Sequence, residues 1–133
     1  MKVYCLPEFK EECDKLLKNN SYLDLNKEIA KFFHGRKFED CLTGTNLNQS
    51  ADAPHIKKDI GGRGGYRLYY VALRKKEEIY FGFVHPKTGS KGSSNTQDDF
   101  RLTIPKKIYK AIEQKELLQI TITEGDISYT KPK

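Results

Sequence analysis

The sequence predicts an α+β domain, in which two amphipathic helices precede a small, mainly antiparallel β-sheet. In the first third of the chain, apolar residues recur with the three- and four-residue spacing of helices, and from His55 they alternate as in strands. The 133 residues contain no internal repeat and no linker-like segment, which suits one domain. We therefore expect a single domain over 1–133, with a core of about 1–115 and a C-terminal addition over 116–133.

The first predicted element is a short strand, KVYCLP, and a helix begins at Pro7. Proline is favoured in the first turn of a helix, because its missing N–H would have no partner there anyway. Four apolar residues then share one helical face: Phe9, Cys13, Leu16 and Leu17. This face predicts a helix that packs on the core.

A second helix follows the break at Asn19-Asn20. Ser21 and Asp24 have the spacing of a capping box, which predicts that they cap the start of this helix. Gly35 is placed to end it. The two helices and their short turn predict a helical hairpin. The apolar face of the second helix consists of Leu25, Ile29, Phe32 and Phe33.

The middle of the chain predicts a three-stranded meander. Residues 40–54 are polar and rich in Gly, Asn and Ser, which is typical of a loop. Alternating or branched apolar residues then indicate strands at 55–60, 66–73 and 79–86, separated by the turns GGRGG and RKKEE. Such short turns favour antiparallel neighbours.

The C-terminal third predicts an extra helix and an extra hairpin. Residues 88–100 are small and polar, and Thr103 with Pro105 favours a helix start. Two short strand-like runs surround a turn at Glu124-Gly125. The apolar face of the helix consists of Ile108, Ala111 and Ile112.

Positive charge is concentrated in one segment. The chain has 24 Lys and Arg against 18 Asp and Glu, and residues 55–91 alone hold nine basic and three acidic groups. A concentrated positive field favours a polyanion, most often nucleic acid. A solvated basic surface that only aids solubility accounts for the charge equally well.

The cysteines and the N-terminus predict a cytoplasmic location. Cys5, Cys13 and Cys41 are odd in number and therefore cannot form a closed disulfide framework, and the apolar positions of Cys5 and Cys13 predict buried, reduced thiols. The sequence has no signal-peptide pattern and no apolar run long enough to span a membrane.

Nothing in the sequence predicts a metal or a cofactor. His34, His55 and His85 lack metal-ligand spacing, and so do the cysteines. The glycine-rich GGRGG lacks the ending of a phosphate-binding loop and joins two strands, which favours a hairpin turn.

Cations and tyrosines interleave over residues 55–91. If the three strands are neighbours, we expect the cations to converge on one end or face of the sheet, where they would grip phosphates while a tyrosine stacks a base. The set is Lys57, Lys58, Arg63, Arg67, His85, Lys87 and Lys91, with Tyr66, Tyr69 and Tyr70 among them.

Such a set also suits RNA cleavage by attack of the 2′-hydroxyl. Closely packed lysines with lowered pKa values serve as base, and a permanently charged arginine stabilises the phosphate. Arg67 lies in an otherwise apolar strand, where a charge is costly unless it lines a functional surface or is paired. The alternative is that Arg67 pairs with Asp59 or a C-terminal acid, or faces solvent.

The run from the basic strand through GGRGGYRLYY to IYFGFVHPKTGSKG resembles the RelE/HigB branch of the RelE–ParE toxin superfamily. These proteins are toxins of bacterial type II toxin–antitoxin pairs. They carry a Gly-Tyr-Arg-hydrophobic-Tyr strand, followed by a hydrophobic strand that ends in a basic loop. The resemblance covers about residues 55–92, and the predicted β-α-α-β-β-β order agrees with it.

The resemblance implies a microbial-RNase-like fold that cleaves mRNA in the ribosomal A site without a metal. It also implies a cognate antitoxin protein as partner. Arg67 matches the family's strand arginine, which contacts the scissile phosphate, and Lys57 or Lys58 matches its upstream lysines. His85 and Lys87 fall where members place a catalytic His, Arg or Lys. The expected RNA-binding residues are Arg63, Tyr66, Tyr69 and Lys91.

Two other functions stay open at this point. One is a ParE-like toxin that binds DNA gyrase without nuclease chemistry. The other is a basic RNA- or protein-binding module without activity. Residues 117–129 have no counterpart in the family, so the role of the C-terminal addition is open as well.

Overall fold

The structure, a computed structural model, describes residues 1–62, 64–87 and 98–132, without the side chains of 98–101. Over these ranges the chain is α+β, with three α-helices and one seven-stranded sheet. The helices are α1 (Pro7–Leu17), α2 (Leu25–Phe33) and α3 (Asp98–Gln114). The strands are β1 (Lys2–Cys5), β2 (Thr45–Asn46), β3 (His55–Ile60), β4 (Tyr66–Leu73), β5 (Glu78–Pro86), β6 (Leu118–Ile122) and β7 (Ile127–Thr130). Short 3₁₀ helices span Asn20–Tyr22 and Phe38–Leu42.

The sheet is open and mainly antiparallel, with the strand order β2-β3-β4-β5-β1-β6-β7. Its parallel pair joins β1 to β5, with Val3 opposite Ile79. The predicted meander of three strands is confirmed, because β3 pairs with β4 and β4 with β5, both antiparallel. The loop predicted over 40–54 contains the two-residue strand β2, which pairs with Ile56 and Lys57.

Helices α1 and α2 bury their apolar sides on one face of the sheet. Phe9 of α1 stacks at a tilt on Phe81 of β5, and Phe33 of α2 contacts both Phe81 and Tyr70. Pro7 is at the start of α1, and Gly35, at φ +71°, follows the end of α2, as the sequence predicted. This face of the sheet holds the larger part of the core.

The predicted capping box of α2 is wrong. Ser21 lies in the 3₁₀ helix that precedes α2, where its backbone N–H donates to the Asn19 side chain. Asp24 stands at the N-cap of α2 without a side-chain cap bond. Its carboxylate instead accepts a hydrogen bond from the Tyr66 hydroxyl of β4. Asp24 therefore bonds to a residue 42 positions away in the chain, which the local spacing of a capping box does not reveal.

Helix α3 packs on the opposite face of the sheet. Its Ile104 and Ile108 are buried against Tyr69, Val71 and Tyr80. The helix begins at Asp98, five residues before the predicted start, and Pro105 lies inside it. Proline removes one helical hydrogen bond, but burial of the neighbouring isoleucines keeps the helix continuous through that point.

The C-terminal hairpin extends the main sheet rather than standing apart from it. β6 and β7 pair antiparallel around the predicted turn, and β6 also pairs with β1, where Ile120 faces Val3. Ile120 and Ile127 are buried in the main core. Residues 116–133, which the sequence set apart as an addition, therefore share one sheet and one core with the residues before them.

Candidate nucleic-acid interface

The strand register brings several predicted site residues onto one face of the sheet. Asp59 of β3 lies opposite Arg67 of β4, and Arg67 lies opposite His85 of β5. One pleat further along, Lys57 lies opposite Tyr69. Because side chains alternate along a strand, all five project from the same face. We call it the Arg67 face; it is the face on which α3 packs further along β4.

Arg67 forms an ion pair on this face. Its Nε donates to the Asp59 Oδ1 at 3.0 Å, and the two side chains are 27% and 52% exposed. The hydrogen bond to Asp59 raises the pKa of the Arg67 guanidinium further, so it is permanently charged. The pair is the alternative that the sequence left open for Arg67, and it is at the surface rather than enclosed.

Two lysines add positive charge around Asp59. Burial alone would raise the pKa of the Asp59 carboxyl, but the Arg67 hydrogen bond and the charges of Arg67, Lys87 and Lys57 lower it overall. Lys87 is fixed beside the glycine turn, since its Nζ donates to the Gly62 carbonyl at 2.6 Å. Asp59 is thus an ionised carboxylate within a cluster of cations, a residue that our sequence analysis named only as a pairing partner.

His85 lies beneath this charged layer rather than on it. Its side chain is 3% exposed, and its Nδ1 lies 2.9 Å from the Pro86 carbonyl. A carbonyl only accepts, so Nδ1 carries the proton and Nε2 faces the Tyr69 hydroxyl, 3.5 Å away. The Tyr69 ring is equally buried and stacks beside His85. Both residues support the surface and are not exposed to a strand of RNA.

Lys58 projects to the opposite face. Its Nζ lies 5.1 Å from the centre of the Phe32 ring on α2 and donates to the Thr43 hydroxyl. Lys57 and Lys58 are consecutive in β3, so the alternation of the strand separates them. The structure therefore brings Lys57 to Arg67 and does not bring Lys58 there.

The remaining tyrosines of the predicted set, Tyr66 and Tyr70, are buried in the core between the sheet and helices α1 and α2. Tyr66 is 1% exposed and packs edge-on against Tyr22. The Tyr70 hydroxyl donates to the Cys41 carbonyl within the same core. Neither ring is placed to stack a base. Arg63 and Lys91, the other two predicted RNA-binding cations, lie outside the described residues.

Metal binding and membrane insertion find no support in the described part of the chain. Within it, no group of three or more His, Cys, Asp or Glu is placed to hold a metal ion. No helix among the same residues has the length and apolar character needed to cross a membrane. Cys5, Cys13 and Cys41 are buried and unbridged, and burial raises the pKa of the Cys41 thiol to about 11, which disfavours its reactive thiolate.

Comparison with known proteins adds no family assignment. No protein-family model matches the chain, and no curated protein or solved structure matches it. What the fold and the Arg67 face define is an α+β domain with a cation-rich surface on its sheet.

Proposed function

We propose that the protein is an mRNA endoribonuclease toxin of the RelE/HigB kind, which binds ribosome-bound mRNA on the Arg67 face and cleaves it without a metal. One observation carries the proposal: Lys57, Arg67 and Lys87 surround Asp59 on one accessible part of the sheet. A cluster of fixed cations on a sheet face suits the phosphate backbone of RNA.

Arg67 would bind the scissile phosphate. A guanidinium has five N–H donors, and the bond to Asp59 uses the one on Nε. The donors that remain are arranged as a fork that matches two phosphate oxygens. Asp59 would hold the guanidinium in position, so it is a positioning residue in this proposal.

The lysines would carry the proton transfers of the cleavage. Lys57 would serve as the base for the 2′-hydroxyl as that oxygen attacks the phosphorus, and Lys87 would give a proton to the 5′-oxygen that leaves. His85 would position the β5 end of the site through the hydrogen bonds described above. Lys58 has no part in this reaction, because it lies on the other face.

The proposal also includes a RelE/ParE-like arrangement of the helices and an antitoxin as the partner protein. In a RelE/ParE-like fold, α1 and α2 would pack on the sheet as a helical hairpin, and a cognate antitoxin with an acidic segment would cover the basic surface in the cytoplasm. The element order β1-α1-α2-β3-β4-β5, interrupted by the short β2 and two 3₁₀ helices, supports this proposal.

Expression in bacteria with and without an Arg67→Ala substitution tests the function. We expect the wild-type chain to arrest growth and to cut mRNA on translating ribosomes, and R67A to restore growth. Arg74→Ala is the matched control. Arg74 is also a surface arginine that pairs with a carboxylate, that of Glu39, but it lies in the turn between β4 and β5, at the other end of β4 from Arg67. Intact mRNA in the wild-type strain contradicts the proposal.

A non-catalytic RNA-binding module is the second candidate. It is favoured by the carboxylate that pairs with Arg67 and by the burial of His85, since both reduce the groups available for catalysis. Binding to RNA that weakens with salt, with no cleavage of ribosome-bound or isolated mRNA, would identify it.

A further inference from the structure

A second basic groove lies on the face of the sheet opposite to Arg67. It has a volume of about 550 Å³ and runs between α2 and the end of β3, bounded by the glycine turn after Ile60. We call it the Lys58 groove. Its charged and aromatic lining consists of Glu28, Lys31, Phe32, Arg36 and Lys58, together with Asp59, which lies at the β3 edge between this groove and the Arg67 face.

Two cations share one aromatic ring in this groove. The Arg36 guanidinium lies 4.2 Å and the Lys58 Nζ 5.1 Å from the centre of the Phe32 ring. Arg36 Nε also donates to the Phe32 carbonyl, and Lys58 Nζ donates to the Thr43 hydroxyl. All of these partners are neutral, so the contacts hold the two cations without neutralising their charges.

The carboxylates of the groove do not form ion pairs with these cations. Among the described residues, Arg36, Lys58 and Lys31 have no carboxylate within ion-pair distance, whereas Asp59 is paired with Arg67. Glu28 lies beside Gly61, where its Oε2 would be 3.5 Å from an added Cβ. The groove therefore carries an excess of positive charge beside a half-buried aromatic ring.

The two basic surfaces meet at an edge of the sheet. β2 pairs with β3 only at Ile56 and Lys57, and Gly44 lies beside Lys58, so in the described structure the outer edge of β3 has no partner strand at Asp59 and Ile60. Lys57 and Lys58 are consecutive, with Cα atoms about 3.8 Å apart, yet they project to opposite faces. A flexible polyanion that passes round this edge contacts both cations.

We propose that the Lys58 groove is a second binding subsite for single-stranded RNA, which continues from the Arg67 face around the β3 edge. This inference rests on the proposed function, because that function supplies RNA as the ligand. Positive charge combined with an aromatic platform is the arrangement that holds single strands without sequence preference. An acidic polypeptide would match the charge, but only RNA offers bases that stack on the Arg36 guanidinium and the accessible part of the Phe32 ring beneath it, which favours RNA.

Binding of 2′-O-methyl oligouridine tests the inference, since this RNA lacks the hydroxyl needed for cleavage. One probe of about 12 nucleotides is long enough to reach both surfaces, and one of about 4 nucleotides occupies the Arg67 face alone. The variant is Arg36→Gln/Lys58→Gln, and the control with equal charge is Lys75→Gln/Lys110→Gln, at exposed positions outside the groove. Thermal melts of both proteins check that they fold, and Lys31→Gln is a milder second variant.

We expect the groove variant to bind the long RNA roughly tenfold more weakly than the control, and its log–log salt slope to fall by about 1.4, or 0.7 for each of two phosphates. Affinity for the short RNA should be equal in the two proteins. Equal affinity for the long RNA would overturn the inference, and so would an equal loss for both lengths. Tighter binding of a poly-glutamate peptide than of the long RNA, lost in the groove variant, would also overturn it. None of these measurements depends on cleavage. If the protein cuts no mRNA but the groove variant still loses affinity for the long RNA alone, the nuclease function is refuted and the second subsite is supported.

Discussion

Asp59 sets the charge that Arg67 presents to a ligand. The carboxylate is half exposed, ionised and within hydrogen-bonding distance of the guanidinium, so it repels a phosphate while it orients the arginine. The repulsion weakens RNA binding, whereas the orientation of Arg67 strengthens it. A substitution that keeps the shape and removes the charge separates them.

Asp59→Asn is expected to strengthen RNA binding. The amide oxygen still accepts a hydrogen bond from Arg67, but one negative charge leaves the basic cluster, which favours a polyanion. A several-fold lower dissociation constant at low salt, converging with the wild type at high salt, is the expected result. Asp52→Asn, at an exposed position in the loop before β3, is the control for a general charge effect. Weaker binding of D59N at every salt concentration would show that orientation of Arg67 dominates.

His55 is a buried titratable residue outside the proposed reaction. It is 1% exposed, its Nε2 has no hydrogen-bond partner in the described structure, and burial lowers its pKa to about 4. The folded protein thus holds a neutral imidazole, whereas the unfolded chain titrates near 6.5. As pH falls through this interval the unfolded state takes up the proton first, so the folded state loses stability.

We expect the free energy of unfolding to fall between pH 6.5 and pH 4, with a contribution from His55 of up to about 3 kcal/mol. His55→Leu should flatten this part of the pH profile, measured by urea unfolding at a series of pH values. His34→Gln is the control, because His34 is exposed. Parallel profiles for H55L and the wild type would mean that another group causes the acid sensitivity.

At the scale of elements, the contact between β5 and α3 depends on one glycine. The register of β4 and β5 shifts between Tyr69 and Tyr70, which leaves Gly82 without a partner in β4. A Cβ at Gly82 would lie 2.3 Å from the Ile104 Cγ2 of α3. The bulge and the missing side chain together let the helix approach the sheet closely enough to bury Ile104.

Gly82→Ala is therefore expected to destabilise the protein by about 1–3 kcal/mol, because the buried isoleucine and the helix must move to admit a methyl group. Gly125→Ala is the matched control, since a Cβ there meets nothing within 4 Å. Urea unfolding of the two variants measures the difference. Equal midpoints would show that α3 adjusts at no cost.

At the scale of the whole molecule, β1 joins the two parts of the sheet, because it lies between the meander and the C-terminal hairpin. β1 pairs with β5 on one side and β6 on the other, so the hairpin covers an edge that would otherwise be exposed beside the core. Ile120 and Ile127 add buried apolar surface to the same core. Residues 116–133 are thus expected to be needed for folding, whatever their role in function.

A chain that ends at Lys115 should be unfolded or aggregated. It loses two buried isoleucines, at a cost of about 4 kcal/mol or more, from a fold whose total stability is on the order of 5–15 kcal/mol. Soluble yield and urea unfolding measure the effect. A chain that ends at Lys131 is the control, because Pro132 is exposed. A truncated protein with an unchanged unfolding midpoint would show that 1–115 is an independent domain.

The sequence alone predicted the main helices and strands, the three-strand meander and the segment that holds the positive charge, but not β2. These follow from local periodicity, turn residues and charge, which are properties of neighbouring residues. The structure alone decided which side chains meet, because that depends on register and on which face each residue occupies. Lys57 and Lys58 look equivalent along the chain, yet the pleat of β3 places one beside Arg67 and the other over Phe32. Likewise, the pairing of Asp24 with Tyr66 and the burial of His85 join residues distant in the chain, and only the folded sheet brings their partners within reach.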